Sequence, residues 1–174
     1  MTIKDRVFGD NSDIQLIKER TFRETPSVHF ADISVPGSNG IDLVEHKGYA
    51  VSPPSVGSEK RWYVHQNQTD NNRVIKGHRL FELFHYGFEH THWFVFLTPL
   101  SGALTIPPGC FHRSVSCQHG SLLINHAVRT KNYDENFEFR PAEVNPGLLL
   151  NPWYHGITER EAQHFLSNGA LPAS

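Results

Sequence analysis

The chain has few cysteines, no excess of either charge and no long apolar segment. Cys110 and Cys117 are the only cysteines among 174 residues, and their spacing matches neither a disulfide framework nor a Cys-x-x-Cys site. The net charge of −2 and an isoelectric point near 6.6 indicate no basic surface for nucleic acid or membranes. No run approaches the roughly 20 apolar residues of a membrane span, and the N-terminus lacks the apolar core of a secretion signal. We therefore expect a cytoplasmic protein that binds neither nucleic acid nor membranes.

Short β-strands dominate the pattern of what is present. Apolar and β-branched runs recur at roughly even spacing and are separated by turn residues, which is typical of a sandwich or barrel. The predicted strands are 28–35, 41–51, 61–65, 73–77, 78–84, 93–97, 104–106, 111–116, 121–128 and 137–139. The length fits one domain over 1–174, with a barrel core at about 28–150. A capping box at Thr158 predicts one C-terminal helix at about 158–168.

Two segments are ambiguous or irregular in this pattern. Residues 12–20 begin with a Ser-x-x-Gln capping pattern and also alternate in hydrophobicity, so a helix and a strand both remain open. Residues 66–72 are polar and are predicted to form a loop. Gly77 interrupts the following apolar pattern, which indicates a bend or a bulge.

The most informative segment is 104–116, which contains a strand, a Pro-Pro-Gly turn and a second strand. Pro107, Pro108 and Gly109 favour a sharp reversal because proline fixes φ and glycine accepts positive φ. His112 begins the returning strand, where alternation can direct its side chain into a barrel.

These residues resemble the cupin superfamily. Its second motif, G-x5-P-x-G-x2-H-x3-N, is similar to Gly102, Pro107, Gly109 and His112, with Ser116 at the asparagine position and the first spacing one residue short. Its first motif, a His-x-His pair followed by an acidic residue and a glycine, is similar to His65, Asn67, Asp70 and Gly77. The resemblance implies an all-β fold, a single double-stranded β-helix (jelly-roll barrel) with a short C-terminal helix.

Within the cupins, the chain looks most like the sugar-nucleotide branch typified by dTDP-4-dehydrorhamnose 3,5-epimerase. Residues 74–83 resemble that family's Val-x-x-Gly strand, and Thr130-Lys131-Asn132-Tyr133 resembles the segment that carries its catalytic tyrosine. The resemblance implies that His65 is a catalytic base and Tyr133 the opposing acid. Arg61, Lys76 or Arg113 would then bind the phosphates of a nucleotide-sugar. The family's late aspartate has no match, because no aspartate follows Asp134.

Two other functions remain open from the sequence. His65, Asp70 and His112 together form a two-histidine, one-carboxylate set that suits one divalent metal ion, with Gln68 as a substitute for Asp70. A cupin using this metal would be an isomerase or an oxygenase. Alternatively, the barrel is not catalytic and needs no cofactor, and it binds a small ligand or signals to a partner. The ligand expected in general is a carbohydrate or a nucleotide-sugar. Cupins of this kind commonly pair through their N-terminal strands, so we expect a homodimer.

Overall fold

The fold is a β-barrel with one C-terminal helix. The computed structural model describes residues 12–173 together with 4, 5 and 8. Its strands are β1 (Lys4–Asp5), β2 (Gln15–Ile17), β3 (Arg20–Thr25), β4 (Val28–Asp32), β5 (Gly40–His46), β6 (Val51–Ser52), β7 (Gln68–Phe84), β8 (His92–Leu97), β9 (Ala103–Ile106), β10 (Phe111–Arg129) and β11 (Trp153–His155). The helices are α1 (Glu135–Glu138) and α2 (Glu159–Asn168), and a 3₁₀ turn spans Pro146–Leu148. Among the described residues, neither helix is long and apolar enough to cross a membrane.

Two long strands, β7 and β10, bend and so belong to both halves of the barrel. The first half of β7 pairs with β9 and with the second half of β10, which in turn pairs with β5. The second half of β7 pairs with β8 and with the first half of β10, which also pairs with β6. Both bends contain a glycine with positive φ, Gly77 at 73° and Gly120 at 82°. A Cβ atom on Gly77 would collide with the carbonyl oxygen of Gly120, so the two bends meet in close contact.

Apolar side chains fill the barrel interior beside β8 and β9 and cover the outside of one of its walls. The interior cluster includes Val74, Leu83, Val95 and Leu104. Outside, Phe165 of α2 packs on the face of β7, β8 and β10 that points away from the interior. Because both faces of β8 are covered, its sequence is a continuous apolar run.

The structure confirms the all-β jelly-roll class and corrects several local predictions. Residues 12–20 contain strand β2 and not a helix, and the 158–168 helix is confirmed as α2 with both capping-box hydrogen bonds. The predicted loop at 66–72 is wrong, since β7 begins at Gln68. The predicted strand at 61–65 forms only isolated bridges, and 137–139 lies in and just after helix α1.

Candidate functional site

A polar cavity of about 390 Å³ lies between the two halves of the barrel. Alternate residues of a strand point to the same side, so β5, β7 and β10 each contribute every second side chain to its wall. The lining residues are Asp42, Val44, Ser52, Tyr63, His65, Gln68, Asp70, Asn72, Arg79, Phe81, His112, Ser114, Leu123, Asn125 and Phe139. A barrel interior with this many polar groups offers hydrogen-bond donors and acceptors that suit a polar ligand.

Three of the predicted residues meet in this cavity. The Nε2 atoms of His65 and His112 each lie 3.5 Å from Oδ2 of Asp70. One potential ligand atom from each of the three residues lies within 4.8 Å of the others, and all three side chains are buried. The two imidazole rings are 4.9 Å apart between centroids.

Hydrogen bonds to the backbone fix both rings. Nδ1–H of His65 donates to the carbonyl oxygen of Glu138 (2.9 Å), and Nδ1–H of His112 donates to that of Cys110 (3.2 Å). A carbonyl oxygen only accepts, so each ring carries its proton on Nδ1 and turns Nε2 toward Asp70. The other oxygen of Asp70, Oδ1, accepts from Gln68 Nε2 at 2.6 Å and from Asn125 Nδ2 at 2.8 Å.

Helix α1 positions His65 through Glu138. The Glu138 carboxylate is buried and accepts hydrogen bonds from the backbone N–H groups of Gln66 (2.8 Å) and Asn67 (3.1 Å). The segment that follows His65 is therefore held by side-chain contacts and not by a sheet. Asp134 caps α1 by accepting from the Asn136 backbone, which sets where Glu138 points.

Burial and charge give the three groups different protonation states. Burial favours the neutral acid at Asp70, but His65, His112 and Gln68 together lower its pKa to about 2. Burial also lowers the pKa of His65, yet Asp70 and Glu138 outweigh it and the pKa of His65 is raised. At His112 burial prevails and lowers the pKa to about 4. The cavity therefore pairs an ionised carboxylate with one readily protonated histidine and one neutral histidine.

The structure does not bring the other predicted residues into the cavity wall. Tyr133 lies at its edge, half-buried, with its ring under the Arg129 guanidinium (4.5 Å) and 6.5 Å from the ring of Phe139. Arg61 forms an ion pair with Glu143 outside the barrel, and Lys76 is exposed on β7. Arg113 alternates with His112 and Ser114, so it points to the opposite face, where it donates to Ser55 Oγ at 3.2 Å.

Most of the lining residues were missed by sequence reasoning, and two of them, Tyr63 and Arg79, matter for the chemistry. Tyr63 follows Trp62 in what was predicted as a plain strand, and its ring stacks beside His65 with centroids 6.4 Å apart. Arg79 lies within an apolar strand pattern, where one charge is easily assigned to the surface. The alternation with the inward Phe81 was the signal that could have identified it.

Several solved structures share the fold at low sequence identity. NovW from Streptomyces spheroides is a 4-keto-6-deoxy sugar epimerase, and its match covers 99% of this chain and 94% of the NovW chain. The sequence identity is 14% and the TM-score is 0.63. The dTDP-4-dehydrorhamnose 3,5-epimerase of Elizabethkingia anophelis matches 91% and 88% at 10% identity, with a TM-score of 0.62. QdtA from Thermoanaerobacterium thermosaccharolyticum, a sugar 3,4-ketoisomerase in complex with TDP, matches 78% and 91% at 15% identity, with a TM-score of 0.54.

Comparison at the sequence level gives a different result. The sequence matches no protein-family model, and a search of curated proteins finds no match either. The similarity to known proteins is therefore a similarity of fold, which in the match to NovW extends over 99% of this chain. The chain has the cupin-type fold of the dTDP-4-dehydrorhamnose 3,5-epimerases and the related sugar-nucleotide isomerases.

Proposed function

We propose that the protein is an epimerase or isomerase that transfers a proton at a carbon beside the carbonyl group of a sugar ligand. The observation that carries this proposal is the buried pair of His65 and Asp70 in the wall of a polar cavity. Histidine is suited to this task because its charge changes near neutral pH, and a neighbouring carboxylate strengthens it as a base. The sugar ligand is proposed to be nucleotide-linked, because fold neighbours hold TDP and a TDP-keto sugar.

In this mechanism neutral His65 removes the proton through Nε2. The electron pair of the C–H bond forms a C=C bond, and the carbonyl oxygen becomes an enolate oxygen. Asp70 stabilises the imidazolium that results, because its Oδ2 faces the newly protonated Nε2. Return of a proton to carbon from the other face, with the electron pair moving back, completes epimerisation.

A tyrosine phenol is proposed to return that proton. Tyr133 is the residue that the family resemblance indicates, and it lies at the cavity edge. Tyr63 lines the cavity directly and is the second phenol within reach of a bound ligand. Substituting each tyrosine by phenylalanine in turn tests which phenol returns the proton.

Solvent deuterium exchange into TDP-4-keto-6-deoxyglucose tests the proposal. We expect the wild-type protein to incorporate deuterium and His65→Gln to slow incorporation by about 10²–10⁴-fold, the usual contribution of a general base. Tyr133→Phe and Tyr63→Phe show which phenol takes part. His164→Gln, on the exposed face of α2, is the matched control and should exchange at the wild-type rate. Absence of exchange in the wild-type protein, or full exchange in His65→Gln, would contradict the proposal.

A second candidate function, a divalent-metal cupin, is favoured by the convergence of the two Nε2 atoms on Asp70. Metal bonds of about 2.1 Å at a tetrahedral angle place donor atoms about 3.4 Å apart, close to the 3.5 Å found for each histidine and Asp70. Both rings also donate Nδ1–H to backbone carbonyls, as metal-ligating histidines usually do. The residues therefore fit one ion held by His65, Asp70 and His112. Such an ion would supply a Lewis acid for a substrate oxygen.

Metal content separates the two candidates without an activity assay. If the metal function is correct, the purified protein contains about one divalent ion per chain, and His112→Ala loses it together with the thermal stabilisation that the ion provides. The proton-transfer function alone predicts no stoichiometric metal, and it predicts deuterium exchange that survives treatment with a chelator.

A further inference from the structure

Arg79 is a buried cation without a carboxylate partner. Its side chain lines the cavity, and the residue is only 2% exposed. Its Nε–H donates to Ser121 Oγ at 2.9 Å, and Nη2–H donates to the Val44 carbonyl oxygen at 3.1 Å. A guanidinium has five N–H groups, so three of them have no acceptor among the described residues.

The carboxylates that share the cavity are already engaged. Asp70 faces the two histidines and accepts from Gln68 and Asn125. Asp42 accepts two hydrogen bonds from Nη2 of Arg129, at 2.6 and 2.8 Å. In the described part of the chain, no acidic side chain lies within ion-pair distance of Arg79.

An uncompensated charge in this position is unfavourable for the empty protein. Burying a charged group is costly unless it is paired, and burial lowers the pKa of Arg79 to about 10. The neighbouring His46 offers no compensation, since it is neutral or positive. An anion that enters the cavity would supply the missing partner and the missing acceptors together.

The position of Arg79 also fixes the geometry of the ligand. Arg79 is opposite Ser116 on β10, whereas His112 is opposite Leu83, four residues further along β7. At about 3.3 Å per residue, the two backbone levels are roughly 13 Å apart. Arg79 therefore lies at the bent end of the barrel, and the histidines lie at the other end. Asn72, Ser114 and Asn125 line the wall of the same cavity and offer hydrogen bonds to hydroxyl groups.

We infer that Arg79 binds an oxyanion of the ligand, a carboxylate or a phosphate, at the bent end of the cavity. The ligand is then an acidic sugar whose charged group lies against Arg79 while its reacting carbon faces His65. The sugar part of this inference rests on the proposed function, whereas the anion subsite rests on Arg79 alone. A guanidinium binds a carboxylate or a phosphate equally well through paired N–H groups. The experiment therefore compares a sugar carboxylate with a sugar phosphate.

Calorimetric titration with D-glucuronate, D-glucose 1-phosphate and neutral D-glucose tests the inference. Wild type should bind one or both acidic sugars at least tenfold more tightly than glucose, and the stronger of the two identifies the anion. Arg79→Met should weaken that binding by about 10- to 100-fold, the usual range for hydrogen bonds to a charged group, and so abolish the preference for the acidic sugar over glucose. Arg79→Lys keeps the charge and should retain part of the preference. Arg160→Met removes an exposed arginine of α2 and should change nothing.

Two results would overturn the inference. The first is that the wild-type protein binds glucose as tightly as both acidic sugars. This result needs no variant, so it counts even if Arg79→Met fails to fold. The other is Arg79→Met that folds, as checked by circular dichroism, and keeps the acidic preference. Neither result depends on deuterium exchange at carbon, so a failure of the anion subsite is distinguishable from a failure of the proposed function.

Discussion

Burial and neighbouring charges together decide the protonation of the histidines around the cavity, and the balance differs from one ring to the next. His65 and His112 face the same aspartate, yet only His65 also contacts Glu138, and only its pKa is raised. His46 is half-buried next to the positive charge of Arg79, and its Nδ1 has no hydrogen-bond partner in the described part of the chain. Burial first, and Arg79 second, lower the pKa of His46 to about 4.

The lowered pKa of His46 predicts that the folded protein loses stability as the pH falls. The unfolded chain protonates the ring near pH 6.5 and the folded chain only near pH 4, so the stabilisation is complete above pH 6.5 and is lost as the pH falls toward 4. We expect the loss to be about 1–2 kcal/mol, less than the full shift implies, because solvent screens a half-buried ring.

Urea unfolding of His46→Gln at pH 7.5 and pH 4.5 measures this contribution. The variant cannot be protonated at this position, so its stability should fall less than that of the wild-type protein between the two pH values. His164→Gln lacks an exposed histidine and should behave like the wild-type protein. Equal losses in wild type and His46→Gln would show that the ring does not resist protonation.

At the scale of elements, the sequence predicts apolar strands well and polar strands badly. The continuous apolar run at 93–97 and the strand–turn–strand around Gly109 are correct, because burial on both faces leaves an unambiguous pattern. The start of β7 was predicted as a loop because Gln68, Asp70 and Asn72 are polar. These side chains point into a polar cavity, so the usual rule that polar residues face solvent fails at the candidate site.

The residues that surround His65 come from the start of β7 and from the short helix α1, which the sequence pattern does not predict. The family resemblance implies a late aspartate beside His65, whereas the carboxylate next to His65 in the structure is that of Asp70, five residues away and on a strand. Glu138, whose carbonyl oxygen fixes the ring of His65, belongs to a four-residue helix that was predicted as a strand. Short-range patterns identified His65, Asp70 and His112 as candidates, but their convergence depends on contacts between residues 65, 70, 112 and 138 that only the fold creates.

At the scale of the whole molecule, two strand regions, β5 and the β3–β4 hairpin, have exposed apolar side chains. Strand β5 ends the order of the main sheet, and its outward side chains Ile41 and Leu43 are 70% and 68% exposed. Strands β3 and β4 pair only with each other in the described structure, and the rings of Phe22 and Phe30 contact each other on this exposed hairpin, with centroids 5.0 Å apart. An isolated hairpin is marginally stable in water, which indicates that it packs against another molecule.

A second copy of this chain fits that role, because a surface that pairs with the same surface of another copy closes as a symmetric dimer. A stable interface takes about 800 Å² or more from each partner. Ile41 and Leu43 alternate with Asp42 and Val44, which line the cavity, so pairing through the outward side chains of β5 does not occupy its cavity-facing side.

We therefore expect a homodimer formed through the β3–β4 hairpin and the outer edge of β5. Light scattering coupled to size-exclusion chromatography should give about twice the 19.8 kDa chain mass. Phe30→Glu and Leu43→Glu should shift the protein toward the monomer. In a two-fold symmetric interface the same patch of both subunits meets, so each substitution places two buried charges in the apolar contact. Leu100→Glu is the matched control, since Leu100 is 89% exposed on the turn before β9 and should leave the mass unchanged. A wild-type protein of monomer mass, or dissociation by Leu100→Glu alone, would show that this surface does not join two copies.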